Sequence, residues 1–290
     1  MKKTVSIIIP VYNGKNTLKS ALAGIYMQKA DNDIEIIIID DCSRDTYYED
    51  IFQFQLLGLD IKYIRNKKNL GAGKSRQIGI DSASGEFIAF LDADDYIDPA
   101  WFQKIKKCIE KYPHISVFHF MLYVKSKNNA YLKSCHLGSY LIKKSFINEN
   151  EIKFHDNLRI YEDLYYIEIV INIAVYLNRF KIIDKILYYY IDDNKNSTLH
   201  RLSKSEEDLT NLKNFAQAQK VYWILNNKPE LIVHSKEIKD KYQDMYEKII
   251  SKTVREPDQW EENQKIQTKN QAITAYGGNQ SAKRNPYTLL

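Results

Sequence analysis

Residues 85–95 read Gly85-Glu86-Phe87-Ile88-Ala89-Phe90-Leu91-Asp92-Ala93-Asp94-Asp95, and the fold of the chain turns on them. Phe87 to Leu91 is a continuous apolar run of strand length that ends abruptly in Asp92, Asp94 and Asp95. A strand apolar on both faces belongs in a sheet covered on both sides, so this one carries acid to its own C-terminal end. Three carboxylates within four residues repel one another unless a cation sits among them, and hard divalent ions take oxygen ligands. Taken alone, the turn reads first as a solvated acidic loop ahead of a helix that Asp98 caps and Pro99 starts. The neighbouring segments decide between these readings.

Upstream, Val5 to Ile9 is a β-branched run bounded by Pro10, and Leu18, Ala21, Leu22 and Ile25 follow at the spacing of one helix face. Ile34 to Ile39 is a second strand ending at Asp40-Asp41 and a turn at Ser43; a mixed helix and a third strand, Ile61 to Arg65, come next. Strand and helix alternate, which predicts an α/β fold with a parallel sheet. Asn69-Leu70-Gly71-Ala72-Gly73-Lys74-Ser75-Arg76 then opens the helix that Gly85 ends. Two phosphate-binding motifs fail here. A Walker A loop needs a glycine where Lys68 stands, and a dinucleotide fingerprint needs one where Arg76 stands. The glycines still permit close backbone approach, and a helix N-terminus favours anions.

Downstream, Trp101, Phe102, Ile105, Cys108, Ile109 and Tyr112 share one helix side, with Lys104, Lys106, Lys107 and Lys111 as its solvated face. Ile115 to Val124 reads as a strand, Lys125 to Leu137 as a loop or hairpin, Lys143 to Asn148 as a short helix, and Tyr161-Glu162-Asp163 as the start of a longer one. Ile186 to Ile191 closes the series as a strand. From Ser203 the chain is helical and polar, and after Lys252 a tail rich in Gln and Asn reads as loosely ordered.

With 290 residues, 44% hydrophobic and 27% charged, the chain has the composition of an ordinary soluble protein. A net charge of +5 suits anionic ligands or an acidic membrane surface without the aromatic-interleaved basic segments of nucleic-acid binders. Cys42, Cys108 and Cys135 show no paired spacing, which speaks against a disulfide framework or structural zinc and for a reducing cytoplasm. The run from Val5 to Val11, broken by Pro10, reads as a strand and not a leader peptide, and no stretch approaches the roughly 20 apolar residues of a bilayer span. Membrane contact would then be peripheral.

Together the pieces VSIIIPVYNG (5–14), EIIIIDDCSRD (35–45), NLGAGKSRQIGI (69–80), GEFIAFLDADDYIDP (85–99) and IYEDLYY (160–166) resemble the family 2 glycosyltransferases of GT-A fold. The resemblance implies a Rossmann-like, mostly parallel central sheet flanked by helices, with residues 1–99 as a nucleotide-sugar half and 100–200 as an acceptor half. A helical C-terminal extension follows over 201–252, then the tail, 253–290.

By the same resemblance Pro10, Tyr12 and Asp41 hold the nucleotide base, and a carboxylate accepting a uracil N3–H is sound chemistry. Asp92, Ala93 and Asp94 match the DxD-type signature, in which carboxylates and Mn²⁺ or Mg²⁺ bind the donor diphosphate; Asp94 is the direct ligand and Asp92 a metal or ribose contact. Lys74 and Arg76 approach the nucleotide, with surface solvation as the alternative. Asp163 is the general base and Glu162 orients the acceptor, although acids in a first helical turn are also ordinary capping chemistry. His200 is a third metal ligand or a surface residue. Gln77 stands where the family usually has asparagine, and the loop at Asp192-Asp193 lacks a usual arginine, both of which bear on donor choice.

The implied activity is inverting, metal-dependent transfer from a UDP-sugar to a glycan, lipid-linked or protein acceptor. A sugar nucleotidyltransferase would need a Gly-rich, Arg-bearing loop straight after the first strand, and Pro10 to Gly14 is not one. A catalytically silent scaffold of the same fold is the rival from another class, against which Asp41, Asp92, Asp94, Asp95 and Asp163 standing together argue. The C-terminal helices offer a surface to a partner, a membrane or another copy of the chain.

Overall fold

The computed structural model describes residues 3–30, 33–46, 48–125, 129–131, 136–191 and 206–250. The polar tail and His200 lie outside the described residues. One sheet of nine strands runs through the molecule in the order β3-β2-β1-β4-β8-β6-β9-β5, with β7 on β6. The strands are β1 (Val5–Val11), β2 (Ile34–Asp40), β3 (Ile61–Arg65), β4 (Phe87–Phe90), β5 (Tyr96–Ile97), β6 (Val117–Val124), β7 (Asn129–Tyr131), β8 (Tyr140–Lys143) and β9 (Phe180–Tyr190). The helices are α1 (Leu18–Tyr26), α2 (Tyr48–Leu56), α3 (Ala72–Ser82), α4 (Trp101–Lys111), α5 (Lys144–Glu149), α6 (Glu162–Tyr176), α7 (Glu206–Asn227), α8 (Glu230–Val233) and α9 (Ser235–Ile250).

β3, β2, β1 and β4 pair in parallel, in register Ile7↔Ile36 and Ile7↔Ala89, as the alternation of strand and helix predicts. Beyond β4 the sheet is mixed. β8 runs antiparallel to both β4 and β6, whereas β9 returns parallel to β6. The alternation rule stops there because, among the described residues, no α-helix lies between β6 and β8, so nothing imposes a parallel crossover.

The isoleucine runs explain why both faces close. Ile7, Ile9, Ile36 and Ile38 face α1, α2 and α4, and Ile8, Ile37, Ile39 and Phe90 face α3, α5 and α6. Each fully buried isoleucine contributes roughly 1.5–3 kcal/mol relative to an exposed one. Glu35 fixes the entry to β4, its Oε1 accepting from Ser6 Oγ, the Ser84 N–H and, at 2.9 Å, the Gly85 N–H. Burial works against that carboxylate, and these donors hold its pKa below the usual range.

Three expectations change in detail. α4 begins at Trp101, not at Pro99, because Asp98 takes the Ala100 N–H (2.9 Å) and Lys104 Nζ (2.8 Å) into a turn that precedes the helix. Lys104 therefore does not belong wholly to a solvated face. β9 starts at Phe180, six residues ahead of Ile186, its early part disguised by Lys181, Asp184 and Lys185. Among the described residues no helix is long and apolar enough to cross a membrane.

Candidate active site

The parallel strands end on one edge of the sheet, and the loops beyond β1, β2 and β4 meet there, the place where open α/β sheets bind ligands. The first two loops are laced together. Asn13 N–H donates to Ser43 Oγ (2.8 Å), Arg44 N–H to Asn13 Oδ1 (2.8 Å), and Lys15 N–H to Asp45 (2.9 Å). Asn13 and Cys42 both adopt left-handed backbone, with φ of 55° and 65°, which bends each loop sharply. Pro10 is half-buried at the end of β1, and Tyr12 stands 37% exposed on the rim. A β-carbon placed at Gly14 would lie 3.9 Å from that of Ala93, so the first loop borders the acidic turn.

Asp41 is buried and braces the glycine loop. Its carboxylate accepts from Leu70 N–H (2.7 Å), Gly71 N–H (2.8 Å) and Asn66 Nδ2 (2.8 Å). Gly71 needs its glycine, with φ of 90°. Two residues on, Gly73 lets α3 close on α6, since a β-carbon there would meet Glu162 Cγ at 2.9 Å.

That close approach puts Arg76 between two acids. Its guanidinium is buried, with Nη1 donating to Glu162 Oε1 and Nη2 to Asp92 Oδ1, each at 2.8 Å. One side chain thus joins the end of β4 to the start of α6. Burial lowers its pKa, and the charges of Asp92 and Glu162 outweigh that and raise it. Burial likewise raises Asp92, whose net shift is downward because Arg76 is adjacent. Glu162 is pushed up to about 7 by burial and then by Asp163, with Arg76 opposing. Asp163 accepts its neighbour's amide, Leu164 N–H, at 2.7 Å. Tyr161, immediately before them, has φ of 59°, a left-handed bend that aims the start of α6 into the cleft.

On the opposite side of Asp92, Asp95 is buried. Tyr188 donates its hydroxyl to Asp95 Oδ2 (2.7 Å) and accepts Asp92 N–H (3.2 Å), and Ile191 N–H donates to Asp95 Oδ1 (2.8 Å), so β9 holds the turn. His136 Nε2 comes within 3.7 Å of Asp95 Oδ2, and its ring packs on Tyr188 and Tyr190 with centroids 4.8 Å away in each case. Burial, then the charges of Asp92 and Asp94, push the Asp95 carboxyl well up. One ligand atom each from Asp92, Asp95 and His136 falls within a 4.8 Å span, a donor set that fits a divalent cation.

Asp94 is half-buried beside this group and outside that span. Lys74 lies on the surface, paired with Asp156 at 3.3 Å and not with the acidic turn. The structure therefore brings Arg76, Asp92, Glu162 and Asp163 together and sets Lys74 apart. His136, Tyr188 and the bridging geometry of Arg76 leave little signal in the sequence. His136 sits 44 residues from Asp92 in a polar stretch with no periodicity, and the only local hint at Tyr188 is the run Tyr188-Tyr189-Tyr190.

The model of "Glycosyl transferase family 2" matches residues 6–187, more than half of the chain. The chain belongs to glycosyl transferase family 2. Among curated relatives, glycosyltransferase GlyA of Streptococcus pneumoniae serotype 4 is 30% identical over 162 residues, 56% of this chain and 21% of that protein. The chain spans only 20% to 38% of the length of the four curated relatives that head the comparison. S. aureus TarS, solved with UDP-GlcNAc, superposes with a TM-score of 0.66 at 21% identity, over 88% of this chain and 77% of that one. The mannosyltransferase PcManGT of Pyrobaculum calidifontis, solved with GDP-Man and Mn²⁺, gives 0.53 at 10%, over 96% and 87%. This family 2 member accordingly has the GT-A fold, with its sheet mixed from β8 onward and helices after the sheet.

Proposed function

We propose that the chain transfers a sugar from a nucleoside diphosphate sugar, UDP-sugar ahead of others, to an acceptor hydroxyl with inversion at the anomeric carbon. The observation that carries this is the Arg76 bridge. It sets the acids at the end of β4 and those at the start of α6 one guanidinium apart, with 2.8 Å contacts to each. An in-line displacement needs that arrangement, with a leaving-group site on one side and a base on the other.

Asp163 takes the proton of the acceptor hydroxyl while the new oxygen–carbon bond forms, and the nucleoside diphosphate leaves with the electrons of the broken bond. Glu162, with its pKa near 7, is partly protonated at neutral pH and can donate a hydrogen bond that orients the acceptor. Pro10, Tyr12 and Asp41 form the wall for the base and ribose, Asp41 by fixing the glycine loop. Asp92, Asp95 and His136 would hold a divalent cation, with Asp94 adjoining by its place in the motif. An imidazole beside carboxylates favours Mn²⁺ over Mg²⁺, which prefers oxygen throughout. Such an ion supplies charge neutralisation for the departing diphosphate. Cys42 and Cys108 are free, which suits a reducing, cytoplasmic setting.

The test is a melting experiment with UDP, GDP, CMP and dTDP, each with Mn²⁺ or chelator, since a ligand bound only by the native state raises its melting temperature. A Mn²⁺-dependent rise with UDP is expected. No rise with any nucleotide would favour the silent scaffold.

A further inference from the structure

The helices after position 205 carry a surface that the transfer chemistry does not use. α7 is apolar on two sides. Ala216 and Ile224 are buried in the core that α6 lines, while Phe215, Val221, Tyr222 and Leu225 stay 46%, 42%, 67% and 53% exposed. Asn211, Phe215, Ala218, Tyr222 and Leu225 recur at alternating spacings of four and three, the stripe of a helix that packs along another helix, and they lie opposite the buried pair. A surface helix ordinarily has one apolar stripe, and a second one calls for a second partner. Phe215, Val221, Tyr222 and Leu225 leave on the order of 400 Å² of apolar surface per copy, the size of the largest patch on a typical monomer.

We propose that the partner is a second copy of this chain, its α7 packed antiparallel on the first about a two-fold axis near Ala218. Positions flanking the stripe, Leu212, Asn214, Gln219, Val221 and Asn226, are all uncharged, so no charge is buried along the centre of the contact between two copies. Antiparallel pairing about Ala218 sets Phe215 of one copy against Val221 and Tyr222 of the other. The pair covers at most about 800 Å² of apolar surface before the Asn and Gln flanks are counted, below the roughly 1,200–2,000 Å² of stable interfaces and in the range of weak, transient ones, so the dimer is concentration-dependent. A membrane-lying helix would flank its apolar face with cations, yet Lys213 and Lys220 fall on the inward half, Lys220 paired with Glu168.

Sedimentation equilibrium of the full chain over the micromolar range tests this. The mass should rise from 34.1 kDa toward twice that value as concentration increases. Phe215→Glu with Leu225→Glu should stay monomeric with an unchanged melting temperature and unchanged hydrolysis of UDP-sugar. Should that pair of substitutions misfold, Ala218→Cys decides, because it should form a disulfide-linked dimer under oxidising conditions where Lys213→Cys does not. A wild-type chain monomeric at every concentration, a double variant that still dimerises, or equal linking by the two cysteine variants would overturn the proposal. So would a monomer that binds phosphatidylglycerol vesicles through this face, or one whose residues 251–290 cross-link to Ala218→Cys in the same chain.

Discussion

Arg76 is the side chain on which the two halves of the site depend. Replacing it with methionine leaves Asp92 and Glu162 without a counter-charge; breaking a fully buried pair costs about 3–5 kcal/mol, and solvent at Asp92, whose side chain is 35% exposed, brings the expected loss below that. Urea denaturation should show that loss. Arg76→Lys keeps the charge but cannot reach both acids as a fork, so the transfer rate should fall at least ~10-fold while donor affinity changes little. Glu162 provides a second prediction, through pH. Its carboxyl binds a proton more tightly folded, near 7, than unfolded, near 4.5. The associated stability is complete below pH 4.5 and is lost as pH rises through about 7, because the native state then holds more protons than the unfolded one. In denaturant midpoints measured across that window, Glu162→Gln should remove this downward slope; an identical slope in both proteins would place the raised pKa elsewhere.

At the scale of elements, two glycines separate positioning from stability. A β-carbon at Gly73 meets Glu162 Cγ at 2.9 Å, so Gly73→Ala should displace the start of α6 and lower turnover roughly 10-fold or more while UDP still raises the melting temperature. A β-carbon at Gly85 meets the backbone nitrogen of Ser6 at 2.6 Å, which cannot swing away, so Gly85→Ala should cost about 1–3 kcal/mol in denaturant titration. The elements flanking these glycines were legible in the sequence for a physical reason. β1, β2 and β4 are buried on both faces and therefore spell out unbroken runs of isoleucine and phenylalanine, and Leu18, Ala21, Leu22 and Ile25 mark the buried side of α1. β9 was legible only from Ile186, because its first half is partly exposed and carries charge, and the parallel rule failed at β8, which follows β6 with no α-helix between them among the described residues.

Across the whole molecule, what could be read of the site was whatever stands at the end of a buried element. Asp92, Asp94 and Asp95 interrupt an apolar run, and Glu162 and Asp163 open a helix, so their type and place are visible locally. His136 and Tyr188 come to the acidic turn only through the order β4-β8-β6-β9, a long-range fact with no local pattern. Arg76 looked like a residue for the nucleotide; its ion pairs with Asp92 and Glu162 depend on how closely α3 and α6 pack. In the proposed mechanism these two groups of acids form one transferase site, and release of UDP from UDP-sugars with water as acceptor tests this without knowledge of the natural acceptor. With Mn²⁺ the wild-type chain should release UDP slowly from at least one UDP-sugar, and chelator or Asp92→Asn should abolish this. Asp163→Asn should lose release yet keep the rise in melting temperature with UDP. Release that persists undiminished in both variants, or that occurs with no UDP-sugar at all, would contradict it.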